Sequence, residues 1–239
     1  FAMLAAESLG GISVAVYQDS IASELGFVLE HAEVRFIIAE NEEQTDKLYG
    51  IKEKLAKVEK VIFDDTRGLE SGRDDWLISY EAAQSLGDAY AASHSGYFEA
   101  EVAKGQGSDV AMFCYTSGTT GQPKGVMLTY DNFLTGIYAT AKAEGLIAGD
   151  EVMAYLPMAW VGDFWLSVGS ALALKMTTNC PEKRETLNRD FREIGPSVMI
   201  APPAIWEQLL TRVRVRMEEA DSFKRGRYLK AMAAATEVE

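Results

Sequence analysis

Residues 115–126 read YTSGTTGQPKGV, a window of glycines, hydroxyl residues and one lysine. Those residue types suit an anion. Glycines let successive backbone N–H groups turn toward one point and form a concave nest. Ser117, Thr119 and Thr120 add short hydroxyl donors beside Gly118 and Gly121, and Lys124 adds a point charge. No Asp or Glu occurs between Val110 and Tyr130, where the chain's average would place about three. The spacing is not that of a Walker A loop, which needs a lysine straight after its second glycine and then Ser or Thr. Here Gln122 and Pro123 stand between Gly121 and Lys124. Composition alone leaves two readings open, a phosphate clamp and a flexible polar loop.

A clamp needs rigid elements on either side, and the flanking pattern supplies them. ISVAV (12–16), RFIIA (35–39), KVIF (60–63), VAMFCY (110–115), VMAYL (152–156) and SVMIA (197–201) read as strands. Most are short continuous apolar runs, as expected of strands covered on both faces. GVMLT leads out of the window as a further short strand. Helical patterns lie between them. IASELGFVLEHA follows Ser20, an N-cap candidate, and YDNFLTGIYATAKAEG follows Thr129, another. EEQTDKLYGIKEKLAK puts Leu48, Ile51 and Leu55 on one face, and Pro202–Pro203 suit the first turn of a helix carrying Ile205, Leu209 and Val213. The stretch 64–108 is the least periodic, and we read it as loops around a helix near 79–92. The alternation predicts an α/β fold of layered, mostly parallel sheets with flanking helices. We place a first subdomain at 1–146, holding the window, and the start of a second at 147–239, with EGLIAGD as the crossing.

The chain has 239 residues, 48% hydrophobic and 25% charged, which is a globular composition. Its net charge of -13 argues against a nucleic-acid partner, which needs a basic footprint. Cys114 and Cys180 are the only cysteines, too few for a disulfide framework and fitting a reducing, cytoplasmic setting. With only His31 and His94 besides, a zinc site is not expected. No apolar run reaches the roughly 18–20 residues that span a bilayer, and no signal peptide is read. The chain opens on Phe1 inside a helical pattern and ends in the helix-prone KAMAAATEVE. We therefore expect a piece of a longer protein.

The ordered string YTSGTTGQPKGV closely resembles the signature loop of the adenylate-forming superfamily, which includes acyl-CoA synthetases, peptide-synthetase adenylation domains and beetle luciferases. The flanks agree. GVMLTYDNF resembles the family's continuation, with Tyr130 where members often have His. YLPMAW resembles the segment lining the acyl pocket, with Trp160 where long-chain members commonly carry His. PEKRETLNRDFREIGPSVMIAPPAIWEQL is similar to the long-chain acyl-CoA synthetase branch, and residues 7–41 resemble the family's early strand–helix–strand unit.

The resemblance covers most of the chain, least at 64–108 and beyond about residue 220. It implies part of a large N-terminal domain of an AMP-forming ligase. Such an enzyme condenses a long-chain fatty acid with ATP to an acyl-adenylate, and CoA then displaces AMP. It implies that Ser117, Gly118, Thr119, Thr120, Gly121 and Lys124 hold the phosphates of ATP. Thr116 matches the position that ligates Mg²⁺, and Trp160 and Phe164 line the acyl tunnel. The family's adenine, ribose and second-metal-ligand motifs, and its mobile domain with a catalytic lysine, do not occur here. Peripheral membrane association of the parent and its oligomeric state are left open.

The bland reading of Trp160, Phe164 and Trp165 is ordinary core packing. RVRVRM (212–217) reads as a solvated face rather than a phosphate site, because Glu218 and Glu219 follow its arginines. His31 and His94 are given surface or structural roles, Cys114 reads as a small buried apolar residue, and Asp163 is assigned nothing. Two rivals remain. One is an adenylating enzyme for an aryl, amino or short-chain acid, and the other a nucleotide-binding scaffold without catalysis. Groups that act together on one phosphate are strongly non-additive, so the 239-residue chain alone is expected to give no thioester turnover. Purified, cooperatively folded chain with ATP, Mg²⁺, CoA and palmitate should release no AMP. Turnover comparable to the full-length enzyme would show that the active site is misplaced.

Overall fold

The computed structural model describes residues 1–69, 74–116 and 122–236, the side chain of Thr236 excepted. The chain divides into two units, Phe1–Ser197 and Val198–Glu239. The first unit begins with α1 (Ala2–Ser8), β1 (Ser13–Val14), α2 (Ala22–His31), β2 (Phe36–Ala39), α3 (Glu42–Tyr49) and β3 (Lys60–Phe63). It continues through β4 (Leu77–Ser79), α4 (Tyr80–Ser93), α5 (Tyr97–Val102), β5 (Val110–Thr116), β6 (Lys124–Thr129) and α6 (Tyr130–Glu144). Then come β7 (Glu151–Met153), α7 (Val161–Asp163), a π-helical stretch Phe164–Gly169, α8 (Ser170–Leu174), β8 (Thr177–Asn179) and α9 (Leu187–Ile194). The second unit consists of α10 (Pro203–Glu218) and α11 (Ser222–Thr236).

Three small sheets carry the first unit, in strand orders β1-β5-β6, β2-β3-β4 and β7-β8. Every described pairing is parallel except β5 with β6, which is antiparallel. Parallel pairing requires a crossover between strands. Here α3 supplies it between β2 and β3, and the helix 161–174 between β7 and β8. The mixed α/β architecture expected from the alternation is therefore the one observed. None of the three sheets combines strands from before and after residue 146.

Two cores result. In one, Leu25 and Leu29 of α2, Leu48 of α3 and Leu77 of β4 close over Val61 and Phe63 of β3. In the other, Ala111 and Met112 of β5 meet Phe133 and Ile137 of α6 and Phe164. The second core needs a close approach at Gly169, where a Cβ would come within 2.7 Å of Ile137 Cδ1.

Local departures from the sequence expectation have local causes. Ser20 does not cap α2; its N–H closes a turn onto the Tyr17 carbonyl, and Ile21 begins the helix without a side-chain cap. The helix expected over 42–57 breaks at Gly50, a poor helix former, and resumes as a 3₁₀ turn at Lys52–Lys54. Leu48, Ile51 and Leu55 are buried all the same. SVMIA forms no strand among the described residues. It meets the start of β7 by a side chain instead: Ser197 Oγ accepts from Glu151 N at 2.9 Å and donates to Asp150 Oδ1 at 2.7 Å. β4 and β8 have three residues each, too short to show a period-2 pattern.

Phe63 is 1% exposed on the central strand of its sheet. Phe63→Ala is expected to cost about 3–5 kcal/mol, read as a lower urea midpoint at unchanged slope. A loss below about 1 kcal/mol would mean that the core is not packed on this ring.

Candidate functional site

β5 carries Ala111, Met112 and Cys114 into the interior and ends on the exposed Thr116. β6 returns from the exposed Lys124. The antiparallel register pairs Thr116 with Lys124, Tyr115 with Gly125 and Cys114 with Val126. Residues directly opposite share a face of the sheet, with Cα atoms about 4.5–5.5 Å apart. Thr116 and Lys124 therefore stand side by side at the mouth of a hairpin whose tip is the glycine-rich window. Ser117, Gly118, Thr119, Thr120 and Gly121 lie outside the described residues. Among the described residues no carboxylate lies within ion-pair distance of Lys124.

The far end of the hairpin is pinned at Thr129, the cap that the sequence predicted. Thr129 Oγ1 accepts from Asn132 N at 3.2 Å, and Asn132 Oδ1 accepts from Thr129 N at 3.0 Å. This reciprocal box caps α6 and sets the turn out of β6.

Alternation along β5 puts Cys114 and Thr116 on one face and Tyr115 on the other. On the first face, Cys114 Sγ lies 3.7 Å from the carbonyl of Ala159, so the segment 157–160 packs beside the hairpin. Trp160 comes next, half-buried, with its ring against Gly162, where a Cβ would come within 2.9 Å. Phe164 sits deeper, 6% exposed and 4.4 Å from the Phe133 ring centroid. The two aromatic residues expected to line one tunnel thus occupy different depths, Trp160 half-buried and Phe164 in the core. Behind Tyr115, on the other face, stands His31, the last residue of α2. Its Nδ1 and the Tyr115 hydroxyl share a hydrogen bond of 2.7 Å, and burial pushes that hydroxyl's pKa up. His31 therefore has a partner that its sequence surroundings did not show, and His94 likewise stacks on Tyr90 at 3.9 Å.

Asp163, assigned nothing from sequence, is 6% exposed, and its Oδ1 accepts from Ser167 Oγ at 3.0 Å. Only its neighbourhood in AWVGDFW hinted at burial, since an acid flanked by aromatic residues reads equally as a surface cap. Burial raises its pKa above the ordinary 3.8, and the Ser167 bond opposes this in part. The folded state thus holds this proton more tightly than the unfolded chain does. Stability falls as pH rises from 3.8 through the raised value.

The sequence profile described as AMP-binding enzyme matches residues 1–238. The long-chain-fatty-acid–CoA ligase ACSBG2 of Homo sapiens is 28% identical over 221 residues, 90% of this chain and 32% of its own. The chain thus spans about a third of the length of that curated relative. In backbone it is similar to VinN in complex with L-aspartate, with a TM-score of 0.64 at 20% identity over 87% of this chain and 47% of that one. It is also similar to ATP-bound MatB from Rhodopseudomonas palustris, with a TM-score of 0.56 at 19% identity over 79% and 34% of the two chains.

Asp163→Asn keeps an acceptor for Ser167 and removes the buried titration. It is expected to melt higher than the parent at neutral pH, with the advantage vanishing below pH 3.8. Parallel thermal melts of the two proteins against pH make the comparison. A parent that gains on the variant as pH rises would contradict the burial of this carboxyl.

Proposed function

The chain belongs to the AMP-binding enzyme family, and on that premise we propose that residues 115–126 hold the phosphates of ATP for adenylation of a long-chain fatty acid. The carrying observation is the cross-strand pair Thr116–Lys124, which brackets the glycine-rich stretch, with no described carboxylate paired to Lys124. In this reading Ser117, Gly118, Thr119, Thr120 and Gly121 offer backbone N–H and hydroxyl donors, and Lys124 offers a fixed positive charge. The carboxylate of the acid attacks the α-phosphorus, its oxygen forms the new bond, and pyrophosphate leaves with the electron pair. Negative charge builds on the phosphate oxygens during that in-line displacement. Fixed donors that need not reorganise lower its barrier. CoA thiol then displaces AMP in the full-length protein.

The residues present fit a magnesium ion in one specific way. Among the described residues no three His, Cys, Asp or Glu side chains cluster as metal ligands. Mg²⁺ usually keeps several waters and binds largely through substrate phosphates, so the exposed Thr116 hydroxyl would be its ligand from this part of the chain. When bound, it supplies neutralisation of phosphate charge.

Trp160, half-buried beside the hairpin, with Phe164 behind it, is proposed as the near wall of the acyl site. We also propose a subdomain boundary near residue 146 and a cytoplasmic setting, which suits two unbridged cysteines. Among the described residues no helix is long and apolar enough to cross a membrane.

In the full-length protein, Lys124→Ala is expected to slow ATP–pyrophosphate exchange by at least about tenfold, or about 1.4 kcal/mol of transition-state stabilisation. Exchange should depend on palmitate and not on L-aspartate or benzoate. An unchanged rate removes Lys124 from the site, and exchange driven by aspartate or benzoate instead removes the fatty acid.

A further inference from the structure

His31 and the Tyr115 side chain are given no role in the chemistry proposed above, although Tyr115 opens the 115–126 window, and they meet at its edge. Tyr115 immediately precedes Thr116, and its cross-strand partner Gly125 comes immediately after Lys124. A Cβ at Gly125 would lie 3.1 Å from Tyr115 Cζ and 3.2 Å from its hydroxyl oxygen. The ring therefore lies down on β6 at the one position where the strand has no side chain to lift it. The hydroxyl at the end of that ring reaches His31 Nδ1 at 2.7 Å, and the two rings meet edge-on at 5.8 Å. Phe27, one turn earlier on α2, stacks on the imidazole at 5.5 Å and 25°. α2 itself is anchored by Leu25 and Leu29 in the core around β3, not in the core under β5.

We propose that His31 and Tyr115 are a positioning pair that ties the β5–β6 hairpin to α2 and so sets where Thr116 and Lys124 stand. The proposal rests on reading the hairpin as the phosphate clamp. Without the bond, the ring contact at 5.8 Å is the remaining described link between Tyr115 and His31. A hairpin end is a place where strands splay, because its last pairs have neighbours on one side only. The pair supplies a side-chain bond at that end, from an element belonging to a different core. Gly125 is required by the same arrangement, since a side chain there would tilt the ring away from His31.

Steady-state ATP–pyrophosphate exchange in the full-length protein tests this, with ATP and palmitate varied separately. Tyr115→Phe, which keeps the ring, and His31→Ala are each expected to raise the KM for ATP about tenfold and leave the KM for palmitate unchanged. The double variant should be no worse than either single one, because both remove the same bond. His31→Asn, which returns an amide near the Nδ1 position, should restore the KM for ATP at least in part. General destabilisation behaves differently: it removes active protein and lowers kcat at constant KM. Variants with unchanged KM for ATP overturn the proposal, and so do singles whose effects add in full. Lys124→Ala run alongside separates the two claims. If it impairs exchange while Tyr115→Phe and His31→Ala do not, the clamp stands and the pair falls. If it is also without effect, the reading of the clamp has failed and carries this proposal with it.

Discussion

The antiparallel pairing of β5 with β6 is the constraint on which the rest of the site depends. All other described strand pairs are parallel and joined by helical or longer connections. Among the described pairs only this one is closed by a short loop, a closure that sets two strand ends side by side. The backbone ladder places Thr116 opposite Lys124 whatever the tip between them does. The proposed clamp therefore rests on the strands that carry Thr116 and Lys124. Those strands are braced by the pairing of β5 with β1, the burial of Ala111 and Met112, the box between Thr129 and Asn132, and the Tyr115 bond to α2.

Charge works on the same small scale. The chain carries -13 overall, which on its face opposes binding a polyanion. Exposed charges farther away than about 10 Å are largely screened at ordinary salt, so the local set matters more than the total. The acid-free span from Val110 to Tyr130 is folded back on itself as the hairpin, and the acids that bound it, Asp109 and Asp131, sit at its base. Asp109 accepts from Gln106 N at 2.7 Å and is spent on a turn there. Folding thus brings Thr116 and Lys124 together at one end of an acid-free pair of strands and leaves the bounding acids at the other.

The two strands flanking the window, Thr129 as the cap of α6 and the α/β class were legible because each leaves a local mark: a continuous apolar run, a hydroxyl before a helical pattern, or an alternation of the two. The antiparallel pairing and the Asn132 half of the box were not. The apolar runs of β2, β3 and β5 are continuous. The tyrosine–histidine bond was not legible, since 84 positions separate its partners and neither has a telling neighbour. The burial of Asp163 was hidden for a related reason, because only packing against other elements decides which side of a short helix faces inward. The three-residue strands β4 and β8 and the side-chain link through Ser197 fall below any periodic signal, whereas β7, equally short, was marked by the apolar run VMAYL. Adjacency of the 157–160 segment to β5, which brings Trp160 near the hairpin, needed the fold as well.

The helix from Val161 to Leu174 shows how such adjacency is maintained. A π-helical stretch at Phe164–Gly169 widens its middle and leaves carbonyls without their usual i→i−4 donors. Two hydroxyls take up that slack. Ser170 Oγ donates to the Trp165 carbonyl at 2.8 Å, and Thr178 Oγ1, on β8, donates to the Ser167 carbonyl at 2.7 Å. The second bond fastens the widened turn to the β7-β8 sheet, while Phe164 on the same turn enters the core beneath β5. The extra residue in the turn rotates the N-terminal part of the helix relative to its C-terminal part, so the helix can serve both neighbours at once. A regular α-helix in its place would turn the Phe164 end relative to the Ser167 carbonyl and so change the geometry of the Phe164–Phe133 contact against that of the link to Thr178. The first of these contacts packs the aromatic segment beneath β5.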